Sequence, residues 1–406
     1  MHSSQSLSIG AAILCGLSGS CVATPTPQPP GYPINDNIGL SNLTQPYYPD
    51  IAECSEYIVP VSITSENLAF NYIHWEDDYE LEDFLSIATT RASAGFPGVF
   101  NGTVTVNATY EIAASFCTPK QPNGKEKNVI LATHGIGQAR THWNSPYKPE
   151  EYNFVQWAVG EGYSVWFHDR IGNGGSDKVS GFQSQVNDQV EVLRGLAGIV
   201  REGQYTGAVG KPDKLAVIGF SFGSYVTHHV VATYPEIADA AILTGIGLNT
   251  TLGVNGNGLV RSFVPRIASV QNAERFGDLD NGYLTWVDGF SQINTYFKAP
   301  FYDIPTATFA EENKNAFSIT EFLTFAAGDL DAGNFTGAAL AITGENDYIV
   351  CDGYCPGIFE EPARTNYRNA KIFVPYIHPN SSHNLNFHHN ATGAYKVITD
   401  FLDANL

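Results

Sequence analysis

The chain has 406 residues, of which 43% are hydrophobic and 15% charged. That is enough apolar material for a large buried core and too much for a disordered chain; the length allows two to three domains or one long α/β domain. Against 41 Asp and Glu stand 21 Lys and Arg, a net charge of −20. Such a surface repels phosphate backbones and anionic lipid headgroups, which argues against nucleic-acid binding and polybasic membrane attachment.

Residues 1–30 contain no Asp, Glu, Lys or Arg. Within them the run Leu7–Leu17 (LSIGAAILCGL) is too short to span a bilayer and leads to a small-residue site, Cys21-Val22-Ala23. The pattern predicts a signal peptide over 1–23 and an extended, proline-rich leader over 24–53, hence a secreted, extracellular protein. The positive charge expected at the start of a signal peptide is limited to the terminal amine and His2. An ordinary apolar helix is the competing reading, weakened by the Gly and Ser that interrupt the run. No later stretch reaches 18 apolar residues, so no membrane insertion is expected.

Cleavage would leave four cysteines, Cys54, Cys117, Cys351 and Cys355, an even number with three pairings. The favoured pairs are Cys54–Cys117 and Cys351–Cys355, the second because its loop is local. A zinc site is the alternative, but Cys351-Asp-Gly-Tyr-Cys355 lacks a His pair or second Cys pair to complete four ligands. Acceptor sites for N-glycosylation occur at Asn42, Asn101, Asn107, Asn249, Asn334, Asn380 and Asn390, consistent with a secreted glycoprotein.

Residues 54–127 carry alternating segments (EYIVPVSI, GTVTVNATYEI), which predict an N-terminal antiparallel β extension. From 128 to 250, and again from 338 to 406, continuous apolar runs alternate with helical patterns. This is the signature of βα units around a parallel sheet buried on both faces. The strands expected are Asn128–Thr133, Ser164–Phe167, Lys214–Gly219, Ala240–Leu243, Ala338–Ile342 and Lys371–Val374. Helices are expected over Asp188–Arg201, Gly223–Tyr234 and Ala391–Leu406. Residues 251–337 interrupt the rhythm with a long, aromatic-rich insertion, too long for a structureless loop, and are expected to form a mostly helical cap. Packing inside the cap is the simplest account of its rings.

The sharpest chemical signal is Gly219-Phe220-Ser221-Phe222-Gly223, between an expected strand and an expected helix. In that setting the glycines permit a tight turn, and Ser221 sits at its tip with a helix N-terminus behind it. His134-Gly135-Ile136-Gly137 leaves the strand Asn128–Thr133. The N–H groups of Ile136 and Phe222 are candidate oxyanion-hole donors, whereas His134 reads as a structural histidine. A serine nucleophile needs a base and an acid that orients it. Asp347 follows the strand Ala338–Ile342 and is the acid candidate, preferred over Glu345 and Asp352. Among His378, His383, His388 and His389, His383 is the base candidate. It follows a polar loop long enough to cross the top of the sheet.

These residues resemble the α/β-hydrolases, and specifically the secreted fungal members with an N-terminal Cys-bounded extension. The matching landmarks are HGIG at 134–137, DRIGNGGS at 169–176, GFSFGS at 219–224, LTG at 243–245, TGENDYIV at 343–350 and the His383 loop. The likeness covers residues 54–406 and departs at Phe220, where His is common before the nucleophile. It implies a mostly parallel sheet with helices on both faces and a serine-dependent hydrolase without cofactor or metal. In it Asp169 and Arg170 brace the loops beneath the site. The phosphate-binding pattern that DRIGNGGS superficially invites is absent, as is His-Glu-x-x-His; His228 and His229 are adjacent on a helix and cannot face one metal.

The expected function is cleavage of carboxylic esters, with a moderately apolar small-molecule substrate beneath the cap. Two alternatives remain at this point. One is an acyltransferase or lactone-forming or lactone-opening tailoring enzyme that uses the same acyl-enzyme. The other is a non-catalytic binding protein on a hydrolase scaffold, which would be expected to have lost one of the three residues. Oligomeric state is not legible from the chain.

Overall fold

A computed structural model describes residues 47–89, 98–248, 262–328 and 330–406. The expected signal peptide, the leader up to residue 46, the sequons at Asn42 and Asn249, and residues 251–261 of the insertion lie outside the described residues.

The described chain opens with two long strands, β1 (Ala52–Phe70) and β2 (Phe100–Pro119), paired antiparallel. Alternation decides which face is covered. Val59, Val61 and Ile63 are buried, while Ile58, one position before them, is 54% exposed. The helix Val186–Arg201 packs on β1. Its Asp188 carboxylate accepts hydrogen bonds from Ser65 Oγ and Asn67 Nδ2. Cys54 lies opposite Cys117 in the register, and the two form a disulfide with Cα atoms 4.1 Å apart. Cys351 and Cys355 form the second, with Cα atoms 5.1 Å apart.

The strands that follow in chain order are β3 (Asn128–Thr133), β4 (Ser164–His168), β5 (Lys214–Phe220) and β6 (Ala240–Thr244). After them come β7 (Pro265–Ile267), β8 (Tyr283–Trp286), β9 (Phe317–Ser318), β10 (Ala338–Gly344) and β11 (Ile372–His378). Eight strands form one sheet in the order β1-β2-β4-β3-β5-β6-β10-β11, parallel from β4 to β11. β2 joins it antiparallel to β4. Every residue of β6 and β10 is buried, as their unbroken apolar runs require. After β4 the chain returns to the other side of β3 to place β5. That reversal opens a crevice at the carboxyl ends of β3 and β5.

β11 continues past the expected Val374 to His378. Pro375 breaks the apolar run, but β11 is an edge strand, where a missing N–H is tolerated, and pairing continues through Gly344↔His378.

Between β6 and β10 the insertion contains the helices Ala268–Gln271, Ala273–Phe276, Gly289–Tyr296, Ile304–Glu312 and Ile319–Thr324. It also holds a small antiparallel sheet, β7-β8-β9, that the expectation of a mostly helical cap did not include. Strands of two to four residues are too short for period-2 alternation to show. The Trp286 ring centroid lies 4.9 Å from that of Phe263, 5.3 Å from Tyr296 and 5.5 Å from Phe317, so several of the rings are the cap's own core. Phe290, at 80% exposed, is not.

Candidate active site

Ser221 stands between the last residue of β5 and the first residue of the helix Phe222–Thr233. Its backbone is held at φ 52°, ψ −119°, a conformation that costs a non-glycine residue roughly 1–3 kcal/mol and persists only where the surroundings over-determine it. The flanking glycines supply that constraint. A Cβ on Gly219 would lie 2.2 Å from the carbonyl oxygen of Gly223, and one on Gly223 would lie 2.3 Å from that of Thr133. Strand and helix therefore meet more closely than any side chain allows, and the turn between them pushes Ser221 outward.

The three residues predicted to act together are brought together. His383 Nε2 is 2.8 Å from Ser221 Oγ, and His383 Nδ1 is 2.8 Å from Asp347 Oδ2. His383 and Asp347 are buried, and Ser221 is half-buried. The remaining capacity of the Asp347 carboxylate is filled. Oδ2 accepts from Thr343 Oγ1 at 2.7 Å, and Oδ1 accepts the N–H groups of Ile349 and Val350 at the start of the helix Tyr348–Cys351. Those bonds hold a carboxylate facing His383 Nδ1, which orients the ring and leaves Nε2 free to take the serine proton. Glu345 and Asp352, the neighbouring carboxylates, are exposed.

The other histidines are occupied elsewhere. His378 lies on β11 with Nε2 on the Asn390 carbonyl, and His389 is exposed with Nε2 3.1 Å from Asp303 Oδ1. His388 donates from Nδ1 to the Asn384 carbonyl, and burial lowers its pKa to about 4. His134 is also structural in its contacts. Nδ1 bonds the Gly135 carbonyl, Nε2 accepts the Arg170 N–H, and burial beside Arg170 holds the ring neutral.

Ile136 and Phe222 both line the cavity that contains Ser221 and His383. Among the described residues neither N–H has a hydrogen-bond acceptor, so both remain available to a ligand oxygen. The loop carrying Ile136 is tied to the cap. Tyr296 Oη donates to the Ile136 carbonyl at 2.8 Å, and Asn315 N donates to the Gly137 carbonyl at 2.7 Å. Tyr296 also stacks on His383, with ring centroids 5.8 Å apart and planes 2° from parallel. Sequence reasoning counted Tyr296 only among the cap's rings, because no local spacing links it to position 136 or 383.

Beneath the loop, Arg170 Nη1 pairs with Glu321 Oε1 at 2.7 Å, both side chains almost wholly buried. The guanidinium lies 4.5 Å from the centroid of Phe222, and Nη2 reaches the Gly135 carbonyl at 3.3 Å. Asp169 accepts the N–H groups of Arg140 and Gly175. Glu321, on the cap helix Ile319–Thr324, is the partner that sequence reasoning missed. Phe220, where the resemblance leads one to expect His, packs face to face on buried His142 at 4.4 Å.

The cavity is about 220 Å³ in volume. Its walls are apolar, with Leu248, Phe263, Phe322, Phe325, Ile349 and Val350 prominent. Among the described residues no group of three His, Cys, Asp or Glu is placed to hold a metal ion, and no helix is long and apolar enough to cross a membrane.

A parallel sheet with a strand–serine–helix turn, an acid after β10 and a histidine after β11 defines the α/β-hydrolase class of proteins. The chain belongs to the alpha/beta hydrolase family, whose profile matches residues 129–393. Among solved structures it is similar to a thermophilic esterase from Thermogutta terrifontis, with a TM-score of 0.50 and 16% identity over 72% of this chain and 94% of that one. It is likewise similar to a protein named as the non-heme bromoperoxidase BpoC of Mycobacterium tuberculosis, with a TM-score of 0.50 and 13% identity over 72% and 96%. At such identities the likeness is one of fold. No curated protein sequence matches the chain.

Proposed function

We infer that the protein is a serine hydrolase that cleaves carboxylic esters through an acyl-enzyme on Ser221, and that it acts outside the cell. The observation that carries the reading is the unbroken chain Asp347–His383–Ser221, opening into an apolar cavity beside the Ile136 and Phe222 N–H groups, which are unpaired among the described residues. His383 Nε2 takes the Ser221 proton as Oγ attacks the ester carbonyl. The tetrahedral oxygen gains its negative charge against the N–H groups of Ile136 and Phe222, each worth roughly 3–4 kcal/mol in such a role. His383 then returns the proton to the departing alcohol. Water, deprotonated by the same nitrogen, releases the acid and restores Ser221. Asp347 favours the ring tautomer this needs and the imidazolium that forms.

Export is supported by the charge-free apolar start of the chain, the two disulfides and the sequons. Of the described sequon asparagines, Asn101, Asn107, Asn334 and Asn380 are exposed and Asn390 is half-buried.

Ser221→Ala should lower the rate of ester hydrolysis on the order of 10⁴-fold or more with the fold intact, since only Oγ is removed. His383→Ala should do the same, and the double variant should be little worse. Full activity in purified Ser221→Ala would sink the reading. Secretion is tested by N-terminal sequencing of protein recovered from the medium, which should begin close to residue 24.

A further inference from the structure

The cavity runs well beyond the reacting serine. His228 follows Ser221 by seven positions on the helix Phe222–Thr233, two turns or about 10 Å along its axis. At that level His228 Nε2 bonds the Leu330 carbonyl at 3.0 Å, and its Nδ1 bonds Tyr367 Oη at 2.7 Å. Leu330 and Asn366, the residue before Tyr367, both line the cavity. They mark its far end.

Asn366 is chemically out of place there. The lining between the two ends is almost wholly hydrocarbon and aromatic. The one phenol among the described lining residues, Tyr225, already donates its proton to the Gly247 carbonyl at 3.0 Å. The Asn366 amide has no hydrogen-bond partner among the described residues and is half-buried at the last position of the short helix Ala363–Asn366. A ligand that fills the cavity strips water from this amide. A ligand ending in a methyl group leaves its donors and acceptor unmet, and one ending in a neutral polar group satisfies them. Among the described residues no Lys or Arg lines the cavity, so a terminal carboxylate would meet no counter-charge from them.

We propose that Asn366 is a specificity residue for the ester-cleaving reaction, selecting esters whose long apolar arm ends in a neutral hydrogen-bonding group such as a ketone, hydroxyl or amide. At about 1.2 Å of reach per bond, the arm spans roughly eight bonds from the carbonyl carbon at Ser221. The inference rests on the proposed esterase reading and adds the class of substrate.

The test uses two matched pairs of esters on the full protein. One pair is p-nitrophenyl nonanoate and its 8-oxo analogue. The other is the acetate of a seven-carbon primary alcohol and its 6-oxo analogue, so that either arm of the ester can enter the cavity. The readout is the ratio of kcat/KM within a pair, which is insensitive to the fraction of folded enzyme. In the wild type one pair should favour the oxo member by roughly tenfold or more. Asn366→Leu should remove or invert that ratio, through KM and kcat together, and Asn366→Gln should restore part of it. A wild-type ratio near one in both pairs would overturn the inference while leaving the esterase reading standing, as would an unchanged ratio in Asn366→Leu. Hydrolysis of none of the four esters above the Ser221→Ala background would instead overturn the esterase reading, and this inference with it.

Discussion

Tyr296 of the cap holds the Ile136 peptide by its carbonyl, with Oη to O at 2.8 Å, while its ring lies flat against His383. One side chain from the insertion thus touches the loop that presents the Ile136 N–H and the ring that is hydrogen-bonded to Ser221. Its backbone carbonyl also accepts the N–H of Asn384, next to His383, at 3.1 Å. The cap is bound into the site as well as lying above it.

Tyr296→Phe keeps the stacked ring and removes only the hydroxyl, leaving the Ile136 carbonyl without that partner. Loss of a buried hydrogen bond of this kind costs about 1–3 kcal/mol. Because the Ile136 N–H belongs to the loop so released, kcat should fall on the order of tenfold with KM changed less than threefold. Steady-state kinetics on a p-nitrophenyl ester would check this; a change in KM alone would show that Tyr296 contacts substrate without positioning the loop.

The Arg170–Glu321 pair is the other tie between cap and core. Burial pushes the Glu321 carboxyl pKa up, opposed by the Arg170 guanidinium and by bonds from Gln189 and Ser184. Removing one member, as in Glu321→Leu, strands a buried guanidinium and should lower unfolding free energy by about 3–5 kcal/mol. Arg170→Met combined with Glu321→Leu should be less destabilised than Glu321→Leu alone. Urea unfolding of the wild type, Glu321→Leu, Arg170→Met and the double variant gives the comparison, and strict additivity would contradict the pairing.

Acid should unfold the protein through its buried histidines. Burial lowers the pKa of His142 and of His168 to about 3, and that of His388 to about 4. Each takes up a proton near pH 6.5 once unfolded, so the unfolded state binds more protons between that pH and the folded value. Stability is therefore lost as pH falls through this window, by about 2 kcal/mol per histidine between pH 7 and pH 5. Denaturant midpoints measured at the two pH values should differ accordingly, and a pH-independent midpoint would contradict the buried, neutral rings.

The two disulfides should separate by readout. Cys54–Cys117 closes the longer loop, with a sequence separation of 63 against 4 for Cys351–Cys355. Chain entropy assigns them about 4 and about 2 kcal/mol respectively. Cys351, however, directly follows Ile349 and Val350 of the cavity wall, and the bridge to Cys355 closes the segment just after Asp347. Replacing Cys54 and Cys117 by Ala should lower Tm more; replacing Cys351 and Cys355 should lower kcat more. Alkylation of the denatured, unreduced protein should label none of the four.

Much of this protein could be read along the chain because the deciding interactions are local in sequence. A strand buried on both faces must be apolar throughout, so Asn128–Thr133, Lys214–Phe220 and Ala338–Gly344 stand out as unbroken runs. The turn at Ser221 needs glycine at 219 and 223 for lack of room; the crowding at Gly219 comes from Gly223 itself, and that at Gly223 from the Thr133 carbonyl at the end of β3. The fold then places an acid after β10 and a histidine after β11, where Asp347 and His383 are the preferred candidates among several. Other features depend on contacts between residues more than a hundred positions apart. Glu321 meets Arg170, Tyr296 meets Ile136, and Asn366 reaches the cavity that begins at Ser221. Each of those side chains is ordinary where it stands in the sequence, and only the packing of the cap and the β10–β11 connection over the crevice gives it a partner or leaves it without one. The sequence by itself marked out the sheet and the candidates Ser221, Asp347 and His383, because each stands in a short segment that directly follows an apolar strand run. The tertiary structure alone decided what braces those groups and what shape of molecule the cavity admits, because buried charge, hydrogen-bond pairing and cavity walls are properties of surfaces brought together by folding.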